Sequence, residues 1–151
     1  MNLAGMELLE KLAAELPTIQ FVQSSDPEYA ARRKLYNLAI ETKPLAIAFP
    51  KSADEVASIV KFSCRTGVSI VVRCGGHDLF GRSMVDDGIV VDVRALDSVT
   101  VRKEAGQAVI GGGAMGATVC KVLSEHGCIT PCPNVSTQVG IRKQYNLPES
   151  G

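Results

Sequence analysis

The sequence has no excess of charge of either sign, because 16 Lys and Arg residues balance 16 Asp and Glu residues in a chain of 151. A balanced chain has no electrostatic reason to bind nucleic acid or an anionic membrane surface, so we expect neither partner. It also lacks any apolar run approaching the roughly 20 residues that cross a bilayer. Its first residues carry acids where a secretory signal needs a basic start. We therefore expect a cytoplasmic protein with an amphipathic N-terminal helix and a small-molecule substrate.

Paired cysteines are not evident either. The five cysteines are an odd number in a chain without a signal, which predicts reduced thiols; they are Cys64, Cys74, Cys120, Cys128 and Cys132. Cys128 and Cys132 have no second pair and no suitable histidine, so we predict no metal site. Cys64 and Cys120 lie in helical patterns and are expected to be small core residues.

The pattern that is present begins as strand, helix and strand. Ser52 and Glu55 have the spacing of a capping box, and Gly67 is a natural helix stop. The apolar runs 45–49 and 68–72 on either side are short, as in strands covered on both faces. They predict a parallel pair with a glycine loop at the carboxyl end of the second strand. Open α/β sheets bind ligands at that end.

The second half of the chain has a different pattern. Three short β-rich runs indicate hairpins, with a tight turn at 104–106, and a helix is predicted over about 117–125; the runs are 89–93, 98–102 and 108–110. His126 follows this helix, where the helix dipole stabilises a cation, and this structural role explains it.

The loop after the second strand carries the chemistry. It reads Arg73, Cys74, Gly75, Gly76, His77, Asp78, Leu79, Phe80, Gly81. Two adjacent glycines can bring backbone N–H groups close to a pyrophosphate, which places the histidine at the ligand. For the bare motif, an ordinary turn with a surface histidine is the alternative interpretation.

In its context this loop resembles the R-x-G-G-H loop of berberine bridge enzyme-like proteins, a branch of the vanillyl-alcohol oxidase superfamily. Residues 26–29, 44–56 and 139–141 extend the resemblance. It implies an α+β, PCMH-type FAD-binding fold. We expect a complete first subdomain with parallel strands and helices, and the start of a second, mainly antiparallel subdomain.

The resemblance also implies the cofactor site. FAD would be joined through its 8α-methyl group to the ring of His77, with the backbone of Gly75 and Gly76 at the pyrophosphate and Arg73 neutralising its charge. The other residues implied to contact FAD are Cys74, Asp78, Gly81, Gly112, Gly113, Val139 and Gly140. Some members have a second, cysteinyl link, but Ser136 or Val135 stands at that position here. We therefore expect the histidyl link alone, with Cys132 as the alternative second attachment.

Gly111 to Gly116 offers a competing interpretation, because it fits the G-x-G-x-x-G pattern between a strand and a helix. A Rossmann unit then needs a second parallel strand ending in an acid, where this chain has Pro131, Cys132 and Pro133. A Rossmann-type NAD-binding module is kept as the minor alternative.

The function implied by the resemblance is that of an FAD-dependent oxidase. It would transfer hydride from a small organic substrate to covalently bound flavin and electrons to O2, in a secondary-metabolite pathway. The expected organisation is an N-terminal helical segment at 1–25, the FAD-binding domain at 26–141 and a polar tail at 142–151 that departs from the family.

The substrate domain and its catalytic base are missing from this pattern, so the catalytic residues are unknown. This suggests a truncated gene product, a splice or frameshift variant, or a mispredicted gene model. The alternative function is a catalytically inactive flavin-binding remnant that self-associates through exposed strand edges.

Overall fold

The computed structural model describes residues 3–130 and the backbone of residues 144–146. The chain divides into two compact units, Met1–Ala95 and Leu96–Gly151. The helices are α1 (Leu3–Glu15), α2 (Tyr29–Arg32), α3 (Ala53–Thr66) and α4 (Gly116–Glu125). The strands are β1 (Gln20–Gln23), β2 (Ala46–Phe49), β3 (Ile70–Arg73), β4 (Ile89–Asp92), β5 (Val99–Arg102), β6 (Gln107–Ile110) and β7 (Gln144–Asn146).

The first unit contains a four-stranded sheet in the order β1-β2-β4-β3. β1 runs antiparallel to β2, whereas β2 and β3 both run parallel to β4. The predicted parallel direction of β2 and β3 is confirmed, but the two strands are not neighbours. Val90 of β4 lies in register with Ile47 on one side and Val71 on the other. β4 was predicted with the hairpins, and its true position depends on pairing with β2, more than 40 residues earlier, and with β3, about 20 residues earlier.

Burial differs between the strands of this sheet. β2 is mostly buried, in agreement with the prediction, and β4 is buried along its whole length. The prediction that β3 is covered on both faces is wrong, because β3 lies at the edge of the sheet and Val72 is 59% exposed. One cluster of the core consists of Leu35, Ile47, Met84 and Val90.

The helix α3 begins and ends where its sequence predicts. The Ser52 side chain accepts a hydrogen bond of 3.1 Å from the backbone N–H of Glu55, and Gly67 ends the helix in the left-handed conformation at φ +76°. Ile59 and Phe62 form its buried face. Cys64 is exposed, as is Cys120 on α4, so the prediction that both are core residues is wrong.

The second unit contains a three-stranded sheet in the order β5-β6-β7, antiparallel throughout. The predicted hairpin is confirmed: β5 and β6 are joined by a short 3₁₀ helix, Lys103–Ala105, and by Gly106 at φ +59°. β7 falls inside the segment predicted as a polar tail. The core of this unit brings α4 onto the sheet and consists of Ala108, Ile110, Ala114, Val119 and Leu123.

No helix in the described part of the chain is both long enough and apolar enough to span a membrane.

Candidate functional site

The glycine loop begins at the carboxyl end of β3, as predicted. Arg73, the last residue of β3, lies in register with Asp92, the last residue of the neighbouring parallel strand β4. The carboxyl ends of two parallel strands therefore meet beside the loop, which is the usual place for a ligand in such a sheet.

Two glycines of the loop have backbone conformations that residues with a side chain rarely adopt. Gly76 has φ +68° and Gly81 has φ +73°. A methyl group on Gly76 would lie 3.3 Å from Leu35 Cδ2, and one on Gly81 would lie 3.0 Å from Ile40 Cγ2. The segment that includes Leu35 and Ile40 therefore packs closely on the loop, and the glycines allow it.

Arg73 is buried, with 6% of its surface exposed. Its guanidinium donates hydrogen bonds to the backbone carbonyls of Arg32 and Lys34, the second at 2.8 Å. Burial lowers the pKa of Arg73, and the nearby Asp92 carboxylate opposes that effect. The structure thus gives Arg73 an anchoring contact with the segment after α2, and its predicted contact with a phosphate group stays a prediction.

Two other residues of the loop have defined roles in its conformation. The carboxylate of Asp78 accepts hydrogen bonds from the backbone N–H groups of Phe80, at 3.0 Å, and Ser83, at 2.9 Å. It therefore closes a turn immediately after His77. Burial raises the pKa of the Cys74 thiol to about 11, so this thiol is protonated at neutral pH and is a poor nucleophile.

His77 lies at intermediate burial and stacks on the ring of Tyr36. The ring centroids are 5.5 Å apart and the planes differ by 26°, within the range of offset aromatic stacking. The Tyr36 backbone N–H donates to the Gly76 carbonyl at 2.9 Å, and the Asn37 side chain donates to the Leu79 carbonyl at 2.9 Å. Sequence reasoning missed Tyr36 and Asn37, which are about 40 residues from the loop and carry no local motif.

An ion pair between a buried carboxylate and a partly exposed arginine lies beside the loop and was also missed. The Asp92 side chain is 1% exposed and binds Arg94 through contacts of 2.7, 2.8 and 3.1 Å. The hydrogen bond to Asp92 raises the pKa of Arg94. A carboxylate that ends the buried run of β4, with an arginine two residues later, is the sequence signal that could have found this pair.

A cavity of about 390 Å3 lies next to this pair and is lined by Glu28, Ala31, Arg32, Arg73 and Arg94. Two of its three arginines are already paired, Arg32 with Glu28 at 2.8 Å and Arg94 with Asp92. A larger cavity, of about 660 Å3, is lined by Leu9, Leu12 and Phe21 between α1 and β1 and by none of the loop residues. We base the candidate site on the glycine loop, since size alone does not indicate chemistry.

The glycine run of the second unit connects β6 to α4, as predicted. Its N–H groups are turned inward: Gly111 donates to the Ser98 carbonyl at 2.7 Å and Gly113 to the Leu96 carbonyl at 2.9 Å. A methyl group on Gly111 would lie 2.1 Å from the Leu96 oxygen, whereas one on Gly112 would meet no atom within 4 Å. Gly111 is therefore required by its own unit, and the cofactor contacts of Gly112 and Gly113 stay predictions.

Several predicted residues fall where the structure gives no description. The predicted residues outside the described part of the chain are Cys132, Val135, Ser136, Val139 and Gly140. His126 does lie at the C-terminal end of α4, as predicted, with its Nδ1 atom 2.9 Å from the Val122 carbonyl oxygen.

The residues of the loop fit a flavin dinucleotide in two respects. The loop leaves β3 where the carboxyl ends of two parallel strands meet, and Gly76 at φ +68° provides the turn that leads to His77. The imidazole of His77 follows directly, stacked on one neighbour and partly exposed to solvent.

Comparison with known proteins gives the family. The sequence pattern described as "FAD binding domain" matches residues 44–141, which include both glycine regions. The chain belongs to the FAD-binding domain family. Among its relatives, the FAD-linked oxidoreductase aurO of Gibberella zeae is 34% identical over 126 residues, covering 83% of this chain and 25% of that protein.

Solved structures of this family have the same fold. The berberine bridge enzyme-like protein 1 of Physcomitrella patens superposes with a TM-score of 0.78 at 29% identity, covering 87% of this chain and 29% of that one. Glucooligosaccharide oxidase of Acremonium strictum, described with 6-S-cysteinyl, 8α-N1-histidyl FAD, superposes with a TM-score of 0.69 at 25% identity, covering 80% and 25%. The predicted PCMH-type α+β fold is thereby confirmed, and the chain spans about a quarter of the length of these relatives.

The strand pairing of β6 decides against the Rossmann interpretation of Gly111 to Gly116. A Rossmann site needs parallel neighbours for the strand that precedes the glycines. β6 instead pairs antiparallel with both β5 and β7. The Rossmann-type NAD-binding alternative is therefore wrong, because the motif arises here from a tight connection between an antiparallel strand and a helix.

Proposed function

We propose that this chain is the flavin-binding part of an FAD-dependent oxidase that acts on a small organic substrate, with the flavin covalently attached to His77. The observation that carries the proposal is the position of His77. It follows buried Gly76 at the carboxyl end of β3 and lies within the matched FAD-binding region. The histidyl FAD described for glucooligosaccharide oxidase supports the attachment.

The attachment is chemically balanced with dioxygen as the oxidant. A ring nitrogen of His77 would bond to the 8α carbon of the flavin. Forming this bond would release two protons, one from the ring nitrogen and one from the 8α-methyl group, and two electrons, which O2 would take up together as hydrogen peroxide. The role of this chain's residues is to present the imidazole: Gly76 and Asp78 fix the backbone on either side of His77.

The proposed reaction is hydride transfer. Bound FAD would supply the redox chemistry, accepting hydride from a substrate carbon and passing two electrons to O2. The backbone of Gly75 and Gly76 would bind the pyrophosphate, and Arg73, Cys74, Asp78 and Gly81 would hold the loop that carries it. Gly112, Gly113, Val139 and Gly140 are proposed as further contacts. We also propose a role in a secondary-metabolite pathway, which rests on the family resemblance of the sequence.

The test of the attachment is whether flavin survives denaturation. The purified chain is incubated with excess FAD in air, precipitated with acid and run on a denaturing gel. We expect flavin fluorescence in the protein band, loss of it in His77→Ala, and no change in the matched control His126→Ala. A fluorescent band in His77→Ala would overturn the assignment.

A second variant tests whether the histidyl bond is the only covalent bond between the chain and the flavin. We expect Cys132→Ser to keep its flavin, because Cys132 is out of register with the position of the second link in the family. A changed flavopeptide mass in Cys132→Ser would show that a cysteinyl bond is present.

A second candidate function is a flavin-binding module that has no turnover of its own. The coverage of about a quarter of the relatives' length supports it. We expect the 151-residue chain to bind flavin yet produce no peroxide from alcohols, sugars or phenols, because turnover requires the reacting C–H bond to be positioned near the flavin, and neither cavity described above is lined by His77. Exposed Leu79 and Phe80 favour self-association of this form. Robust peroxide production by a homogeneous sample would exclude this candidate.

A further inference from the structure

The ring of Tyr36 has a position that burial does not explain. It is 70% exposed, so it contributes little to the core. Its contact with another ring is the stacking on His77, at 5.5 Å between centroids. An exposed aromatic ring stacked on the proposed attachment residue suggests a role in the chemistry of that residue.

The backbone around Tyr36 is fixed to the loop on both sides of His77. Tyr36 donates to the carbonyl of Gly76, the residue before His77, and Asn37 donates to the carbonyl of Leu79, two residues after it. Leu35 packs on Gly76, where a methyl group would come within 3.3 Å of Cδ2. The backbones that carry the two rings are therefore held close together by contacts that do not depend on either ring.

A second anchor lies further back in the same segment. The guanidinium of buried Arg73 binds the carbonyls of Arg32 and Lys34. Arg73 belongs to β3, so the segment that carries Tyr36 is tied to the same strand from which the loop departs. This arrangement limits the movement of Tyr36 relative to His77.

The bond to flavin requires a particular orientation of the imidazole. A histidine side chain has two rotatable bonds, and its second torsion has a broad, weakly restricted minimum. Stacking on the ring of Tyr36 restricts that torsion, because rotation of the imidazole out of the 26° arrangement breaks the face-to-face contact. Correct positioning of a reacting group accounts for large rate factors in bond formation.

We propose that Tyr36 is a positioning residue for flavin attachment, holding the imidazole of His77 in the orientation from which it bonds to the 8α carbon. This rests on the proposed function, in which His77 is the attachment residue. The hydroxyl group takes no part, so the aromatic ring alone is required.

Two measurements on the full chain test the proposal. Aromatic proton NMR reports the stacking, and the presence of only two histidines, His77 and His126, makes assignment simple. Intact-mass spectrometry during incubation with saturating FAD in air reports the rate of attachment. The variants are Tyr36→Leu, which removes the ring, and Tyr36→Phe, which keeps it. Phe80→Leu is the matched control, since Phe80 is a 75% exposed aromatic residue of the same loop.

We expect Tyr36→Leu to move the His77 ring resonances downfield, without moving those of His126, and to slow attachment at least about tenfold. Tyr36→Phe and Phe80→Leu should attach flavin at close to the wild-type rate. If circular dichroism shows that Tyr36→Leu is unfolded, Tyr36→Met takes its place. Wild-type attachment rates in Tyr36→Leu, or a Tyr36→Phe variant as slow as Tyr36→Leu, would overturn the positioning role. A wild-type chain that gains no flavin mass would overturn the proposed attachment itself, whatever the NMR spectra show.

Discussion

The two glycine-rich connections of this chain are held in different ways. In the first unit, the loop after β3 is fixed largely by side chains: Arg73 and Asp78 of the loop, and Asn37 from outside it, each bind backbone groups. In the second unit, the run after β6 is fixed by backbone bonds from Gly111 and Gly113 to residues 96–98. A loop held by side chains depends on remote residues, whereas a loop held by its own backbone depends on the absence of a side chain at one position.

The largest expected effect tests the backbone-held connection. Gly111→Ala would place a methyl group 2.1 Å from the Leu96 carbonyl oxygen. Because the oxygen that the methyl group meets belongs to the backbone, relief requires movement of the strand connection, and we expect a loss of about 3 kcal/mol in the free energy of unfolding.

Gly112→Ala is its matched control, since a methyl group there meets no atom within 4 Å. It should change stability by less than about 0.5 kcal/mol. Urea denaturation followed by circular dichroism measures both variants. Equal losses in the two would show that the backbone bonds are not what distinguishes this connection.

A smaller effect is expected in the side-chain-held loop. Arg73→Met leaves the carbonyls of Arg32 and Lys34 without these donors, but it also removes the cost of burying a guanidinium. The two terms oppose each other, so we expect a net loss of about 1–2 kcal/mol.

Exposed Arg102 in β5 provides the control for Arg73, and Arg102→Met should lie within about 0.5 kcal/mol of the wild type. Native-state hydrogen exchange shows where the loss occurs. We expect faster exchange at the Tyr36 amide in Arg73→Met, and an unchanged rate there would contradict the anchoring role.

The smallest expected effect concerns the protonation of the Cys74 thiol in the loop after β3. The pKa of the Cys74 thiol is raised from 9.0 to about 11 by burial, which favours the protonated form in the folded state. Its contribution to stability is therefore fully present below pH 9 and is lost as the pH rises through 11. At pH 8 the folded chain should hold about a hundredfold less Cys74 thiolate than an unshifted thiol would.

Alkylation with iodoacetamide at pH 8, followed by peptide mapping, measures this difference. We expect Cys74 to react far more slowly than exposed Cys64 and Cys120 in the native protein, and at a similar rate in urea. Equal labelling of the three thiols in the native protein would show that Cys74 is not protected.

Local chemistry made part of this structure predictable. The Ser52 cap and the Gly67 stop define α3, and the turn at Gly106 defines the β5-β6 hairpin, because each depends on neighbours within a few residues. The position of β4 between β2 and β3 depends on distant pairing, and no local pattern reports it. Cys64 and Cys120 were misplaced for a related reason, since helical spacing shows which residues share a face but not whether that face is covered.

The candidate site was predictable in the same uneven way. The double glycine and His77 could be found because they form one continuous motif that resembles a family. Tyr36 could not, because its contact with His77 joins residues about 40 apart. Arg73 was expected at a phosphate, and its burial against two carbonyls shows a contact that only the folded chain reveals. The domain limits, the cofactor-contact residues and the cytoplasmic location stay predictions.

The strand order of the first sheet has a consequence for synthesis on the ribosome. β1 and β2 can pair as soon as both have emerged, but β2 and β3 share no edge and must each wait for β4. β4 is the last strand of its unit to be translated, and it completes the sheet only when Asp92 is out of the exit tunnel. Until then β3 and the glycine loop have no strand partner, so a nascent chain arrested with the loop outside the tunnel and β4 still inside it should be protease-sensitive at the loop.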